Sequence, residues 1–191
     1  GKKAGKAGFD EIQFDYIRFA VDRTMNDVVF DDADTQGHNK TQAITEFISY
    51  AHDELAKEGL FVSADVFGTI MRSEEDAAAV GQEYEDMAEH LDYICPMIYP
   101  SHYGPGNFGI EYPDTQPYDT ILNALNGSRE LLAASAKDDT PQAVVRPWLQ
   151  DFTASYLGEG KYISYGYEEI QKQIQAVKDA GYDEWMLWSA A

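Results

Sequence analysis

Short β-rich runs alternate along the chain with longer amphipathic stretches, and that alternation restricts the fold to parallel βα units. Five runs read as strands: roughly Glu11 to Phe19, Leu60 to Gly68, Asp92 to Pro100, Val144 to Leu149 and Glu184 to Ser189, bounded by turn residues such as Gly8, Gly59 and Gly181. Four helices fill the gaps. The first spans about Thr41 to Glu58, with Thr41 as N-cap and Ile44, Phe47, Ile48, Ala51 and Leu55 on one buried face. The second, Ser73 to Leu91, opens with a capping hydroxyl and acids that suit the helix macrodipole. The third lies near Tyr118 to Lys137, and the fourth runs from Tyr167 to Ala180 and stops at Gly181.

Loop lengths are unequal. Residues 20–40, 101–116 and 150–165 form long segments after strands, whereas the segments before strands are short. In parallel α/β folds the functional groups sit at the C-terminal ends of strands, so the working face is fixed before any motif is named. Five parallel strands cannot close a barrel, and an eight-stranded barrel takes about 250 residues. The 191 residues therefore form either a small open sheet or a chain without its first strands.

Composition narrows the partners. With 14 Lys+Arg against 34 Asp+Glu the formal net charge is −20, on a chain that is 44% hydrophobic and 13% aromatic. Such a chain builds a core, and a single domain over residues 1–191 is expected. The negative charge repels phosphate backbones and anionic lipid, which argues against nucleic-acid and membrane-surface partners. No apolar run approaches the roughly 18 to 20 residues of a membrane span. The basic start, residues 1–8, lacks the apolar core of a signal peptide. Cys95, the single cysteine, sits in an apolar run and reads as a small buried hydrophobe.

Strand parity picks out the chemistry. Along the first strand Ile12, Phe14 and Tyr16 share the face that packs under helices, leaving Glu11, Gln13, Asp15 and Ile17 on the other. A carboxylate at a strand's C-terminal end is costly unless paired or used, and Arg18 is near enough to be the partner of Asp15 in a plain ion pair. Asp65 repeats the placement on the next strand. Two carboxylates on adjacent strands about 4.8 Å apart suit the acid and nucleophile, or acid and base, of glycoside hydrolysis. Tyr99, His102 and Tyr103 after the third strand look like a ligand wall. Arg146, Trp148 and Gln150 share one parity of the fourth, and Trp188 ends the fifth. Aromatic faces beside amides and carboxylates match a pyranose ring, with its apolar CH face and hydroxyl rim. Trp185 is expected on the helix side.

Other motifs read as structural. Residues 31–37 place Asp32, Asp34 and Gly37 at the first, third and sixth positions of a calcium loop, but the twelfth is Ala43, so a solvated acidic loop is expected. His38, His52 and His90 lack zinc-site spacing, and Gly104-Pro105-Gly106 is no phosphate loop; neither metal nor cofactor is expected.

Four segments together resemble a bacterial glycosyl hydrolase domain family once classed as a domain of unknown function: residues 10–19 (DEIQFDYIRF), 63–68 (SADVFG), 96–103 (PMIYPSHY) and 146–152 (RPWLQDF). The resemblance spans nearly the whole chain. It implies an α/β, TIM-type (β/α)8 barrel of which this chain covers strands four to eight, with Gly1 to Gly8 as the tail of the third helix and the N-terminal part missing. It also implies kinship with amylase and α-galactosidase type barrels, in which a strand-four aspartate is the nucleophile. Asp15 then becomes the nucleophile and Asp65 the acid/base. The sequence departs from the family at Ala20, where a proline is expected. Export or association with the cell envelope is suggested by the resemblance alone.

The expected function is therefore cleavage of a polysaccharide or oligosaccharide by Asp15 and Asp65. Gln13, Arg18, Tyr99, His102, Tyr103, Trp148, Gln150, Asp151 and Trp188 would contact the sugar, with Asp151 a reserve acid. Two rival readings are a noncatalytic carbohydrate-binding or cell-envelope module on the same barrel, and a five-stranded doubly wound domain with another chemistry.

Overall fold

The structure is a computed structural model that describes residues 1–22, 27–31, 35, 37–138 and 140–189. After a helical turn α1 (Lys2–Lys6), the chain runs β1 (Glu11–Phe14), α2 (Lys40–Ala56), β2 (Phe61–Phe67), α3 (Glu74–Val80), α4 (Tyr84–Ala88) and β3 (Tyr93–Ile98). It continues through α5 (Pro117–Ser135), β4 (Val144–Val145), β5 (Trp148–Gln150), α6 (Tyr167–Asp179) and β6 (Met186–Trp188). Every strand pairing is parallel, in the order β1-β2-β3-β5-β6 with β4 also on β3.

β4 and β5 form one interrupted strand. Both pair with β3, at Tyr93–Ile94 and Met97–Ile98, and the break falls at Arg146-Pro147 because proline has no N–H to give the ladder. Strands thus sit side by side in chain order. Right-handed crossovers between such strands put every helix on one face, whereas a doubly wound sheet needs the order to reverse and covers both faces. The rival doubly wound reading therefore does not hold, and the sheet is a half-barrel wall.

The core lies between sheet and helices. Val62, Ala64, Val66, Ile94, Ile98, Val145 and Leu149 from the strands meet Ile48, Leu55, Tyr84, Met87, Ile121, Leu125, Ala176 and Val177 from the helices. Burying each Val, Leu, Ile or Met side chain among these contributes about 1.5–3 kcal/mol. The opposite parity forms the concave face, and it carries polar groups. Near the N-terminal ends, the Arg146 guanidinium pairs with Glu11 Oε1 at 2.6 Å and lies 3.9 Å over the Tyr93 ring, while Ser63 Oγ donates to Glu11 at 2.5 Å.

Boundaries differ from the sequence reading where a specific atom intervenes. Asn39, not Thr41, caps α2: its Oδ1 accepts from the Gln42 amide and the Gln42 side chain returns the bond to the Asn39 N–H. Ser73 does cap α3, accepting from the Asp76 amide at 3.1 Å. The single helix expected over Ser73 to Leu91 is two, because Gly81 takes φ +77° and ends α3. Trp185 packs against the core on the helix side, as its parity requires, with Lys178 Nζ 5.7 Å above the ring. Cys95 is buried, and desolvation pushes its thiol up to about 12.

Candidate active site at the strand ends

β1 is shorter than its sequence suggests. The β1–β2 ladder closes at Phe14↔Ala64, while β2 runs on to pair Phe67 with Met97 of β3. Just past the end of β1, Asp15 Oδ1 accepts from the Tyr16 amide at 2.7 Å, and Tyr16 adopts φ +58°. A left-handed conformation at a bulky residue is strained, and strain of this kind clusters at functional sites. It also breaks the expected alternation. Tyr16 does not pack under the helices but is 76% exposed on the cleft wall, and Ile17 turns back to the core.

A cleft of about 320 Å³ opens at the C-terminal ends of the strands, and both Asp15 and Asp65 line it. Asp65 stands on β2 at the floor. Its Oδ1 accepts from Gln13 Nε2 on the neighbouring β1 and from Trp148 Nε1 on β5, two strands away across β3, each at 2.7 Å, so strands on both sides of β2 orient one carboxyl oxygen. Desolvation is the largest influence on this carboxyl and holds its pKa above the usual range, outweighing the two hydrogen bonds that lower it; the negative charge of Asp15 raises it further. With Oδ1 engaged as the acceptor of two bonds, Oδ2 is the oxygen at which a proton would add.

The walls are aromatic. Trp148 and Trp188 meet edge to face at 6.1 Å, and Tyr99 contacts His102 at 5.0 Å and Phe152 at 5.9 Å in the same manner. Burial raises the Tyr99 phenol, so it stays a neutral donor, and desolvation by the wall lowers the His102 imidazole pKa. Arg18 makes no ion pair with Asp15 among the described residues. Its guanidinium instead lies 5.4 Å from the Tyr16 ring centre and 4.9 Å from that of Phe67.

Of the residues the sequence singled out, Asp15, Asp65, Arg18, Tyr99, His102, Trp148 and Trp188 come together around the cleft, and Gln13 reaches it through Asp65. Three do not. Tyr103 turns into the core beside Phe108, its hydroxyl close enough to Gly68 that a Cβ there would sit 2.6 Å from it. Gln150 is fully buried: its amide donates to Asp114 and to the Phe152 carbonyl and accepts from the Ser101 amide, tying the loops after β3 and β5 together. Asp151 lies beyond the end of β5, where its amide donates to the Trp188 carbonyl, and it does not line the cleft. Parity predicts direction only within a strand, and these three stand at or past strand ends.

Tyr16, Phe67, Gln82 and Met97 complete the lining without having been singled out. Phe67 and Met97 share the inward parity of Asp65 and could have been found from it. Tyr16 and Gln82 depend on backbone turns that periodicity does not encode. The calcium-like loop falls partly on residues 32–34 and 36, outside the described residues. Among the described residues no group of three or more His, Cys, Asp or Glu is arranged to hold a metal ion, and no helix is long and apolar enough to cross a membrane.

Solved structures share this architecture. The glycoside hydrolase domain of PgaB (BpsB) from Bordetella bronchiseptica superposes with a TM-score of 0.56 at 12% identity, and the spore cortex-lytic enzyme SleL from Bacillus cereus with 0.59 at 13%. Each alignment covers 98% of this chain, but 54% and 47% of the solved chains, so this chain spans about half their length. At such identity the likeness is one of fold. No curated protein sequence matches the chain. A family model described as "Putative glycosyl hydrolase domain" matches residues 1–191 from end to end, and the chain therefore belongs to that glycosyl hydrolase family.

Proposed function

We propose that the chain is the strand four to eight portion of a (β/α)8 barrel, one domain over residues 1–191, that cleaves a polysaccharide or oligosaccharide. Asp65 is the general acid and Asp15 the nucleophile. The observation that carries this reading is the pair itself: two carboxyls at the ends of adjacent parallel strands share one cleft, and burial holds one of them towards its neutral form. Asp65 Oδ2–H donates its proton to the glycosidic oxygen as Asp15 attacks the anomeric carbon; the C–O bond to the leaving sugar breaks, and water later releases the glycosyl ester. Trp148, Trp188 and Tyr99 offer apolar faces to the ring, while Arg18 and His102 reach hydroxyls at its rim.

Asp15→Asn and Asp65→Asn are each expected to lower turnover of a responsive glycan by about 10²–10⁴-fold with sugar binding retained. Wild-type turnover is expected to fall as pH rises through the Asp65 pKa, because the acid then loses its proton. A glycan panel assayed with wild type and both variants decides the matter: full turnover in Asp15→Asn removes the nucleophile assignment, and sugar binding without any wild-type turnover marks a noncatalytic module.

A further inference from the structure

The β1–β2 ladder gives out at the two segments that carry the candidate acids. The β1–β2 ladder stops at Phe14↔Ala64, one residue short of both Asp15 and Asp65. One side-chain amide spans the gap. Gln82 Nε2 donates to the Ile17 carbonyl and to the Asp65 carbonyl, each at 3.3 Å, and its Oε1 accepts from the Phe67 amide at 3.1 Å. Gln82 is 1% exposed and touches the cleft, so these bonds form without competition from water. The break between α3 and α4 puts it there: Gly81 turns the chain at φ +77°, and the Val80 carbonyl just before it accepts from the Phe19 amide at 2.8 Å.

We infer that Gln82 is a positioning residue that replaces the missing ladder and sets the distance between the Asp15 and Asp65 carboxyls. This rests on the catalytic reading of that pair. The chemistry of the side chain is specific to the task, since two carbonyls need two donors and one amide N–H needs an acceptor, and a primary amide supplies all three. Methionine supplies none. A glutamate of the same shape supplies only acceptors when ionised, and one donor when protonated.

The test uses the full-length protein with Gln82→Met and Gln82→Glu. Both are expected to stay folded by circular dichroism, and Gln82→Met should lose about 10–100-fold in kcat with KM nearly unchanged, the scale of an ångström-sized misplacement. Gln82→Glu should regain kcat as pH falls and its carboxyl protonates. Carboxyl NMR titration of Asp15 and Asp65 supplies a readout that needs no turnover, because their mutual influence should weaken in Gln82→Met. Unchanged coupling between the two carboxyls overturns the inference, as does an equal loss of folded protein in both variants without recovery of Gln82→Glu at low pH. Should Asp15→Asn and Asp65→Asn keep full turnover, the catalytic reading fails while the NMR titration still decides the role of Gln82.

Discussion

The raised pKa of the Asp65 carboxyl bears on stability as well as on its proposed role as the acid. Its carboxyl is raised above the unfolded value mainly by desolvation, so the folded state binds the proton more tightly than the unfolded state. The sign follows: this group's favourable contribution is complete below the unfolded pKa and is lost as pH rises through the folded one. Asp114, buried beneath the loop after β3 and likewise raised by desolvation, acts in the same direction. Asp65→Asn keeps an oxygen for the Gln13 and Trp148 donors but carries no charge to desolvate. It is expected to melt at a higher temperature than wild type at neutral pH, with the difference closing as pH falls below the carboxylate range. Thermal melts of both proteins across that interval test this, and an equal or lower melting temperature at neutral pH would show that the site tolerates the charge without penalty. The proposed acid would thus trade stability for reactivity.

Elements decide which residues face the cleft. The region from Ser73 to Leu91 has composition and capping suited to one helix, yet Gly81 divides it, and the division brings Gln82 to the ends of β1 and β2. Gly81 has two reasons to be glycine: its φ is +77°, and an added Cβ would stand 3.0 Å from the Lys40 backbone at the start of α2. Gly81→Ala is expected to destabilise by about 1–2 kcal/mol from the left-handed conformation alone, more than the roughly 1 kcal/mol expected for loss of the Ser73 cap in Ser73→Ala. Urea unfolding of the two variants compares them; a neutral Gly81→Ala would mean that the break relaxes into continuous helix. Asn39 gives a parallel lesson, since Thr41 and Asn39 are both capping residues and only the reciprocal bond with Gln42 selects one.

At the scale of the whole molecule, the sheet covers only its convex face. Phe61 is 51% exposed and Trp188 49% exposed on the concave side, and among the described residues β1 and β6 each have one neighbouring strand. Unpaired edges and exposed aromatic groups invite association. Residues 1–191 produced alone are expected to bind a hydrophobic dye such as ANS strongly and to associate as concentration rises. Sedimentation of a dye-silent monomer over the same range would contradict this. A closed barrel removes both edges and gives the Glu11–Arg146 pair at the N-terminal ends of the strands a lid, which is the arrangement the proposed function assumes.

The order and type of most elements were legible in the sequence because hydrophobic periodicity is a local property: Ile12 and Phe14, Val62 to Val66, and Ile174 and Val177 each declare their buried face within a few residues. Asp65 and Trp148, inside their strands, were legible for a related reason, since parity within a strand aims a side chain without knowledge of its neighbours, whereas Asp15 stands just past the end of β1. Tertiary structure alone decided the rest. Whether Gln150 faces a ligand or a buried Asp114, whether Arg18 pairs with a carboxylate or lies over Tyr16 and Phe67, and which amide ties the Ile17 and Asp65 carbonyls together all depend on chain segments far apart in sequence. The physical reason is one of range: local pattern fixes which way a residue points, and only the packed fold fixes what stands there to meet it.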